Sequence, residues 1–244
     1  MSTVHSIKED VVSYWGERSK DFASQRKREL ESKKADRWKA EILPFLSDDR
    51  KHTRILDVGT GSGFFSILLS QEGYENVTGI DLTPEMIDKA KELSQGLTPA
   101  PSFFVMDAEQ PDFESESFDM ILTRNLTWTL PHPDRAYREW CRLLKKGGIL
   151  LNFDADYGEE NPSSVELPEN HAHKGIAPEL MRRHDQIMAA LPNSYLKRPG
   201  TDVELLKLAG FSTVTVDFQV SDRIYQEIDE FYNPVRLFKL YAKK

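Results

Sequence analysis

Ile55 to Phe65 reads ILDVGTGSGFF: a short apolar run, three glycines at alternate positions, and an apolar continuation of helical character. A strand that turns through glycines into a helix opens a parallel α/β unit, and its loop lies where such sheets bind ligands. Gly59, Gly61 and Gly63 let the backbone approach a ligand closely. The third glycine comes one residue too early for the dinucleotide fingerprint, and no Gly-Lys-Ser/Thr follows, which excludes a P-loop. Asp57 stands before the glycines. A carboxylate there repels a pyrophosphate and attracts an ammonium or sulfonium.

The rest of the chain supports a parallel sheet. Strands are expected at RILDV, NVTGID, SFFVMDAE, FDMILTRN and ILLNFDAD. Helices are expected at FFSILLSQEG, closed by Gly73, at LTPEMIDKAKELS, with Thr83 as N-cap and Pro84 in its first turn, and at DRAYREWCRLL. KKGG is read as a sharp turn into the fifth strand. Alternation of this kind gives an α/β fold, a Rossmann-like, mostly parallel sheet with helices on both faces. DVELLKLAG reads as another helix, STVTVDFQV as a strand, and VRLFKLYAKK as a last edge strand. The expected organisation is one structural domain: an N-terminal helical cap over 1–50, a core over 51–156, a lid inserted at 157–199 with a helix PELMRRHDQIMAAL, and the rest of the core sheet over 200–244.

Asp81 and Asp107 end the second and third strands. An acid at the first of these ends can accept both ribose hydroxyls, and one at the second can accept from an adenine amino group. With Asp57 they describe a nucleoside that carries positive charge, which is S-adenosylmethionine. The motifs LDVGTGSGFFSILL, VTGIDLTPEMIDKA, VMDAEQPDFESESFDMILTRN and REWCRLLKKGGILL, spanning Arg54 to Leu151, resemble those of class I S-adenosylmethionine-dependent methyltransferases. The resemblance is to the small-molecule group that includes the ubiquinone and menaquinone methylating enzymes. It implies a seven-stranded sheet whose last strand is antiparallel. It also implies that Asp57, Gly59 and Gly61 hold the methionine end of the cofactor, that Asp81 binds the ribose with Leu82 against the adenine, and that Asp107 and the Ala108 backbone read the adenine edge. Asn125 would border the methionine through its backbone, and YWGERSKDF would bring Tyr14 and Arg18 over the cofactor. S-adenosylhomocysteine is the implied product.

On the acceptor side stand Trp128 and His132, in the loop after the fourth strand, and Asp154, Asp156 and Tyr157 at the exit of the fifth. An acidic cluster there favours an amine or other cationic acceptor. Asp154, Asp156 and His132, in that order, are the candidates for taking a proton from the nucleophile, with Trp128 and Tyr157 as acceptor-binding residues. HAHKG with His184 and nearby acids is weighed as a metal site, but two histidines at i and i+2 in a loop are read as solvent-exposed, and no metal site is expected. Cys141 is read as core packing; one cysteine fits a reducing cytoplasm.

The net charge of −8 argues against a nucleic-acid partner, and the basic run RKRELESKK, interrupted by glutamates, reads as a solvated helix face. No run approaches membrane-spanning length, and the expected state is a monomer or homodimer. A nicotinamide-dependent dehydrogenase is opposed by Asp57 and by the early third glycine. Two alternatives stay open: a non-catalytic module that binds the cofactor or a partner, and a protein or RNA methyltransferase. RNLTWTLP lacks the Asn/Asp-Pro-Pro-Tyr/Phe run of enzymes that methylate base or amide nitrogens, which leaves small amines open.

Overall fold

The computed structural model describes residues 4–158, 166–171, 176–192 and 195–244. Seven strands form one sheet: β1 (Arg54–Val58), β2 (Asn76–Asp81), β3 (Ser102–Val105), β4 (Phe118–Arg124), β5 (Leu144–Ala155), β6 (Thr213–Asp217) and β7 (Leu237–Lys243). Their order is β3-β2-β1-β4-β5-β7-β6. The first five run parallel, and β7 is antiparallel to both β5 and β6. The chain leaves β1 toward one edge and returns at β4 on its other side. The cleft at the carboxyl ends of β1 and β4 is therefore the topological switch point, where open α/β sheets take their ligands.

Two expectations are corrected here. The last strand is not at the edge: β7 lies between β5 and β6, and β6 forms the edge. Leu237, Phe238, Leu240 and Ala242 are all buried, as suits an interior strand. Lys239 of this strand is itself buried and donates to Glu41 at 2.6 Å. KKGG is no isolated turn either. It belongs to β5, whose register against β4 shifts between Phe118 and Met120.

Helices α1 (Val4–Leu30) and α2 (Lys33–Ile42) precede the sheet; α3 (Phe64–Gln71), α4 (Pro84–Leu93) and α5 (Pro133–Leu143) alternate with its strands. Then come α6 (Pro178–Ala190), α7 (Gly200–Ala209) and a short α8 (Val220–Ile224). One apolar cluster packs α2, α3 and α8 on one face of the sheet around fully buried Trp38, which meets Phe65 and Phe153 edge-on at 5.3 Å each. The other face carries α5 and α7, with Tyr137, Trp140 and Leu206 buried against Leu56 and Leu150. Cys141 belongs to this second cluster, as expected of a packing residue.

The basic run is not a solvated face. Glu29 is fully buried and Lys34 is 2% exposed, while only Lys27, Arg28, Glu31 and Lys33 face solvent. Ser32 caps α2 by accepting from the Lys34 amide, so the run spans a helix break. Helix α6 falls where the inserted segment was expected to be helical. It packs on α1 through Tyr14, Ile187 and Leu191, and Arg183 bonds to Ser13 at 2.8 Å and to Glu17. His173 of HAHKG lies outside the described residues. His171 is buried, not exposed, with Nε2 at 2.7 Å from the Tyr232 carbonyl oxygen.

Candidate functional site

The glycine loop is held by the acid that precedes it. Asp57 is 2% exposed, and its Oδ2 accepts from Thr60 Oγ1 at 2.6 Å, Ser66 Oγ at 2.8 Å and the Ser66 amide at 3.1 Å. Burial pushes its pKa up to about 6 in spite of these bonds. Two of the loop's glycines sit against close neighbours. Gly59 has φ +66°, and a Cβ there would fall 2.7 Å from a methyl of Leu126. Gly61 has φ +54°, and its Cβ would meet the Phe22 ring of α1 at 3.2 Å. The loop is thus closed in by α1 on one side and by the β4 exit on the other.

Asp81, at the end of β2, accepts from the Gly61 amide and the Thr83 amide, both at 2.9 Å. Burial raises its pKa. Thr83 holds the N-cap position of α4 as expected, yet its side chain makes no cap bond, and its own amide donates to Asp81. Leu82, next to it, is half-buried. Asp107 meets Lys8 of α1 at 2.6 Å, and the same Nζ reaches Glu109 at 2.6 Å. The Ala108 carbonyl accepts from Trp140 Nε1 at 2.9 Å, which fixes the backbone there. Glu109, 1% exposed, also accepts from the His132 amide at 2.6 Å. A rigid link therefore runs from α1 through the third strand end to the loop before α5.

Asn125 leaves β4 with φ +53°, a left-handed conformation that asparagine tolerates. Its amide donates to Phe153 O at 2.8 Å, and its carbonyl accepts from Trp128 Nε1 at 3.0 Å. Trp128 is 8% exposed, with the Tyr157 ring 4.9 Å away on one side and the His184 ring 5.8 Å away on the other. His184 also stands 5.7 Å from Tyr14, whose hydroxyl accepts from Arg18 at 3.0 Å. Tyr14 and Arg18 are both buried. Four aromatic rings from α1, α6, the β4 exit and the β5 exit thus form one contiguous group. Leu180, His184, Ile187 and Leu191 share one face of α6, and His184 stays partly exposed on it.

Asp154 has no exposed surface. It accepts from Thr127 Oγ1, from the Trp128 amide at 3.1 Å, from the Ala155 amide at 2.8 Å and from Arg198 at 3.3 Å. Arg198 also donates to Asp202 at 2.9 Å, to Thr127 Oγ1 at 2.6 Å and to the Ala155 carbonyl at 3.0 Å. Asp154 and Arg198 belong to a buried network beneath the acceptor-side loop. Sequence reading missed Arg198, whose partners are remote in the chain. Asp156 accepts from the Gly158 and Arg198 amides, each at 3.2 Å. The half-buried His132 borders a separate, mainly apolar hollow of about 330 Å³ with Ile7, Leu191, Pro192 and Tyr195.

Among the described residues, five buried side-chain atoms have no hydrogen-bond partner: Ser62 Oγ, Thr123 Oγ1, Arg124 Nε, Asn125 Oδ1 and Asn152 Oδ1. All lie on the glycine loop or on β4, β5 and the β4 exit. Buried polar atoms are ordinarily paired, so their concentration at the switch point marks a place for a polar ligand. Among the described residues no group of three His, Cys, Asp or Glu could hold a metal ion, and no helix is long and apolar enough to cross a membrane.

Comparison with known proteins gives these strand ends a context. Residues 56–152 match the family model described as a methyltransferase domain. The chain is 37% identical over 110 residues to a phosphatidylethanolamine N-methyltransferase of Cereibacter sphaeroides, covering 43% of this chain and 53% of that protein. It is 34% identical over 136 residues to a ubiquinone/menaquinone biosynthesis C-methyltransferase of Bartonella tribocorum, covering 54% of this chain and 50% of that one. The chain spans about half the length of these curated relatives. Among solved structures, Haemonchus contortus phosphoethanolamine N-methyltransferase 1, in complex with phosphoethanolamine and S-adenosylhomocysteine, is similar with a TM-score of 0.67 at 19% identity. That match covers 99% of this chain and 50% of the other, and is a likeness of fold.

Proposed function

We propose that this chain, whose residues 56–152 are a methyltransferase domain, moves a methyl group from S-adenosylmethionine to a small-molecule acceptor. The observation that carries the reading is the hold of Asp57 and Asp81 on the glycine loop, beside partnerless buried atoms of Ser62 and Asn125, with Asp107 past the end of the third strand. A cationic nucleoside matches this set, because carboxylates attract its charge and accept from its hydroxyls and amino groups. Asp81 would take the ribose, with Leu82 along the base. Asp107 and the backbone at Ala108 would read the base edge, and the loop at Gly59 and Gly61 with Asn125 would border the amino-acid end. Asp57 acts at one remove. Its oxygen is given to Thr60 and Ser66, so it shapes the loop and supplies negative potential to it.

When bound, the cofactor supplies an already activated methyl group. The protein's work is then mainly orientation and exclusion of water. Helix α1 closes the glycine loop through Phe22 and latches to the base site through Lys8. Tyr14, Trp128, Tyr157 and His184 present an aromatic wall suited to an amine or another cationic acceptor. Relatives of this chain carry names that place their methyl groups on nitrogen and on carbon, and we favour nitrogen. His184 and the carboxylate of Asp156 are our candidates for receiving the acceptor's proton; His132, a candidate from sequence, lines the separate apolar hollow instead. Asp154, first in line from sequence, is instead proposed to position Thr127 and Trp128, since its oxygens are already given to four donors.

We place the protein in the cytoplasm, as a monomer or homodimer with no nucleic-acid or membrane partner, on its charge of −8 and single cysteine. The segments flanking the core, 1–50 and 157–199, are proposed as the cap and lid. The assignment is tested by Asp81→Ala: affinity for S-adenosylhomocysteine falls about tenfold or more, as loss of charge-assisted hydrogen bonds requires, while circular dichroism stays that of the parent. Unchanged affinity removes the ribose role.

A further inference from the structure

A second charged cluster lies beside the cleft and is used by none of the steps above. Arg124 ends β4, immediately before Asn125. Its guanidinium forks onto Glu29 of α1 at 3.0 and 3.2 Å and lies over the Trp38 ring at 4.3 Å from the centroid. Arg26 bonds to the same carboxylate, and Trp38 Nε1 donates to it at 3.0 Å. Glu29 is therefore saturated, with four donors on two oxygens. Two guanidiniums share one carboxylate, which leaves an excess positive charge where Arg26 and Arg124 are 12% and 9% exposed. Lys34, nearby, is answered by Asp229 and Glu227.

A buried net charge is costly unless a counter-charge reaches it. Donors around the cluster are left over as well. Arg124 Nε has no partner among the described residues. The Tyr225 hydroxyl accepts from Arg124 at 3.3 Å and the Tyr157 hydroxyl accepts from Asn233 at 3.1 Å; each keeps its own O–H to give. Position ties the cluster to the cleft. The Arg26 guanidinium lies 4.5 Å from the Phe22 ring that covers Gly61, and the Tyr157 ring packs at a tilt against Trp128 of the aromatic group, 4.9 Å between centroids.

We infer that Arg26, Arg124, Tyr157 and Tyr225 form a binding site for an anionic group, a carboxylate or phosphate, carried by the methyl acceptor. The inference rests on the proposed methyltransferase reading and narrows it. The acceptor holds its nucleophile against the aromatic wall and its anion on the two arginines, so it is bound at both ends and oriented before transfer. A neutral amine lacking the anion leaves the buried charge unanswered.

The test is calorimetric titration of inorganic phosphate into the free protein and into its complex with S-adenosylhomocysteine, with S-adenosylhomocysteine titrated separately. The parent protein, Arg26→Gln and Tyr157→Phe are compared. Phosphate is expected to bind the complex with a Kd of about 1 mM or tighter. Arg26→Gln weakens this about tenfold or more, as loss of a charge-assisted bond requires, and Tyr157→Phe weakens it less; affinity for S-adenosylhomocysteine stays unchanged in both. Tyr157→Phe keeps the ring on Trp128 and carries the test if Arg26→Gln does not fold. The inference is overturned if phosphate binds neither the free protein nor the complex. It is also overturned if phosphate displaces S-adenosylhomocysteine and Arg26→Gln weakens that ligand equally, for the arginines then serve the cofactor's own carboxylate. Failure of S-adenosylhomocysteine to bind the parent protein strikes the cofactor reading instead, and the phosphate titration of the free protein still reads the cluster.

Discussion

Gly59→Ala isolates how the glycine loop is fixed. The new residue meets two costs. At φ +66° a residue with a Cβ is strained by roughly 1–2 kcal/mol. Its Cβ also falls 2.7 and 2.8 Å from the two methyls of Leu126, well inside the ~3.5–4.0 Å of an ordinary carbon contact. Leu126 is half-buried and packed on the α5 cluster, so it yields only in part. Overpacking of this kind costs about 1–3 kcal/mol. The sum is about 2–5 kcal/mol, and at about 2–4 °C per kcal/mol for a chain of this size the melting midpoint falls by at least about 4 °C. The assay is thermal unfolding of four proteins: parent, Gly59→Ala, Leu126→Ala and the double variant. In the Leu126→Ala background the steric part disappears, and the alanine costs only its backbone share. An equal cost in both backgrounds would refute the argument that Leu126 sets the requirement for glycine.

Three further outcomes follow from the buried carboxylates. Folded Asp57 keeps its proton up to about pH 6, whereas the ordinary value is 3.8, so between these values the folded chain binds more protons than the unfolded one. Through this group stability falls, by about 3 kcal/mol in all, as pH rises across that window; Asp57→Asn should flatten this part of the pH-stability curve. A cationic ligand selects the ionised form, so affinity for S-adenosylmethionine, with its sulfonium, should rise about tenfold between pH 5 and 7; equal affinity at both ends would place Asp57 away from the ligand's charge. In Asp154→Asn an amide NH2 is turned toward groups that already donate, which costs about 1–3 kcal/mol. The midpoint should drop along with turnover, and a variant that melts like the parent but is inactive would restore Asp154 as a proton acceptor.

The strand ends were legible in sequence because local pattern and global fold agree there. Glycines, an apolar run and an acid at each of three strand ends recur at short range, and the sheet places them together by topology alone. Where the deciding partner is remote, reading failed. Asp154 looked like a free acid because Arg198 and Thr127, which surround it, sit far away in the chain. VRLFKLYAKK reads as an edge strand, and the burial of its Lys239 depends on Glu41, remote in α2. Glu29 looked solvated among its basic neighbours, and only the packing of α1 against Trp38 and Arg124 takes it inside. Charged residues follow their partners more than their neighbours in sequence, so a run of charges does not tell which members are buried. His184 is an intermediate case. The helices α6 and α1 were both legible, but not that they pack against each other.

The measurement that bears most directly on the central claim is calorimetric titration of the purified protein with S-adenosylhomocysteine, with NADH as control. One site of micromolar affinity for the first and no heat from the second is the predicted result. Binding of NADH, or no binding of S-adenosylhomocysteine at pH 7, would contradict it.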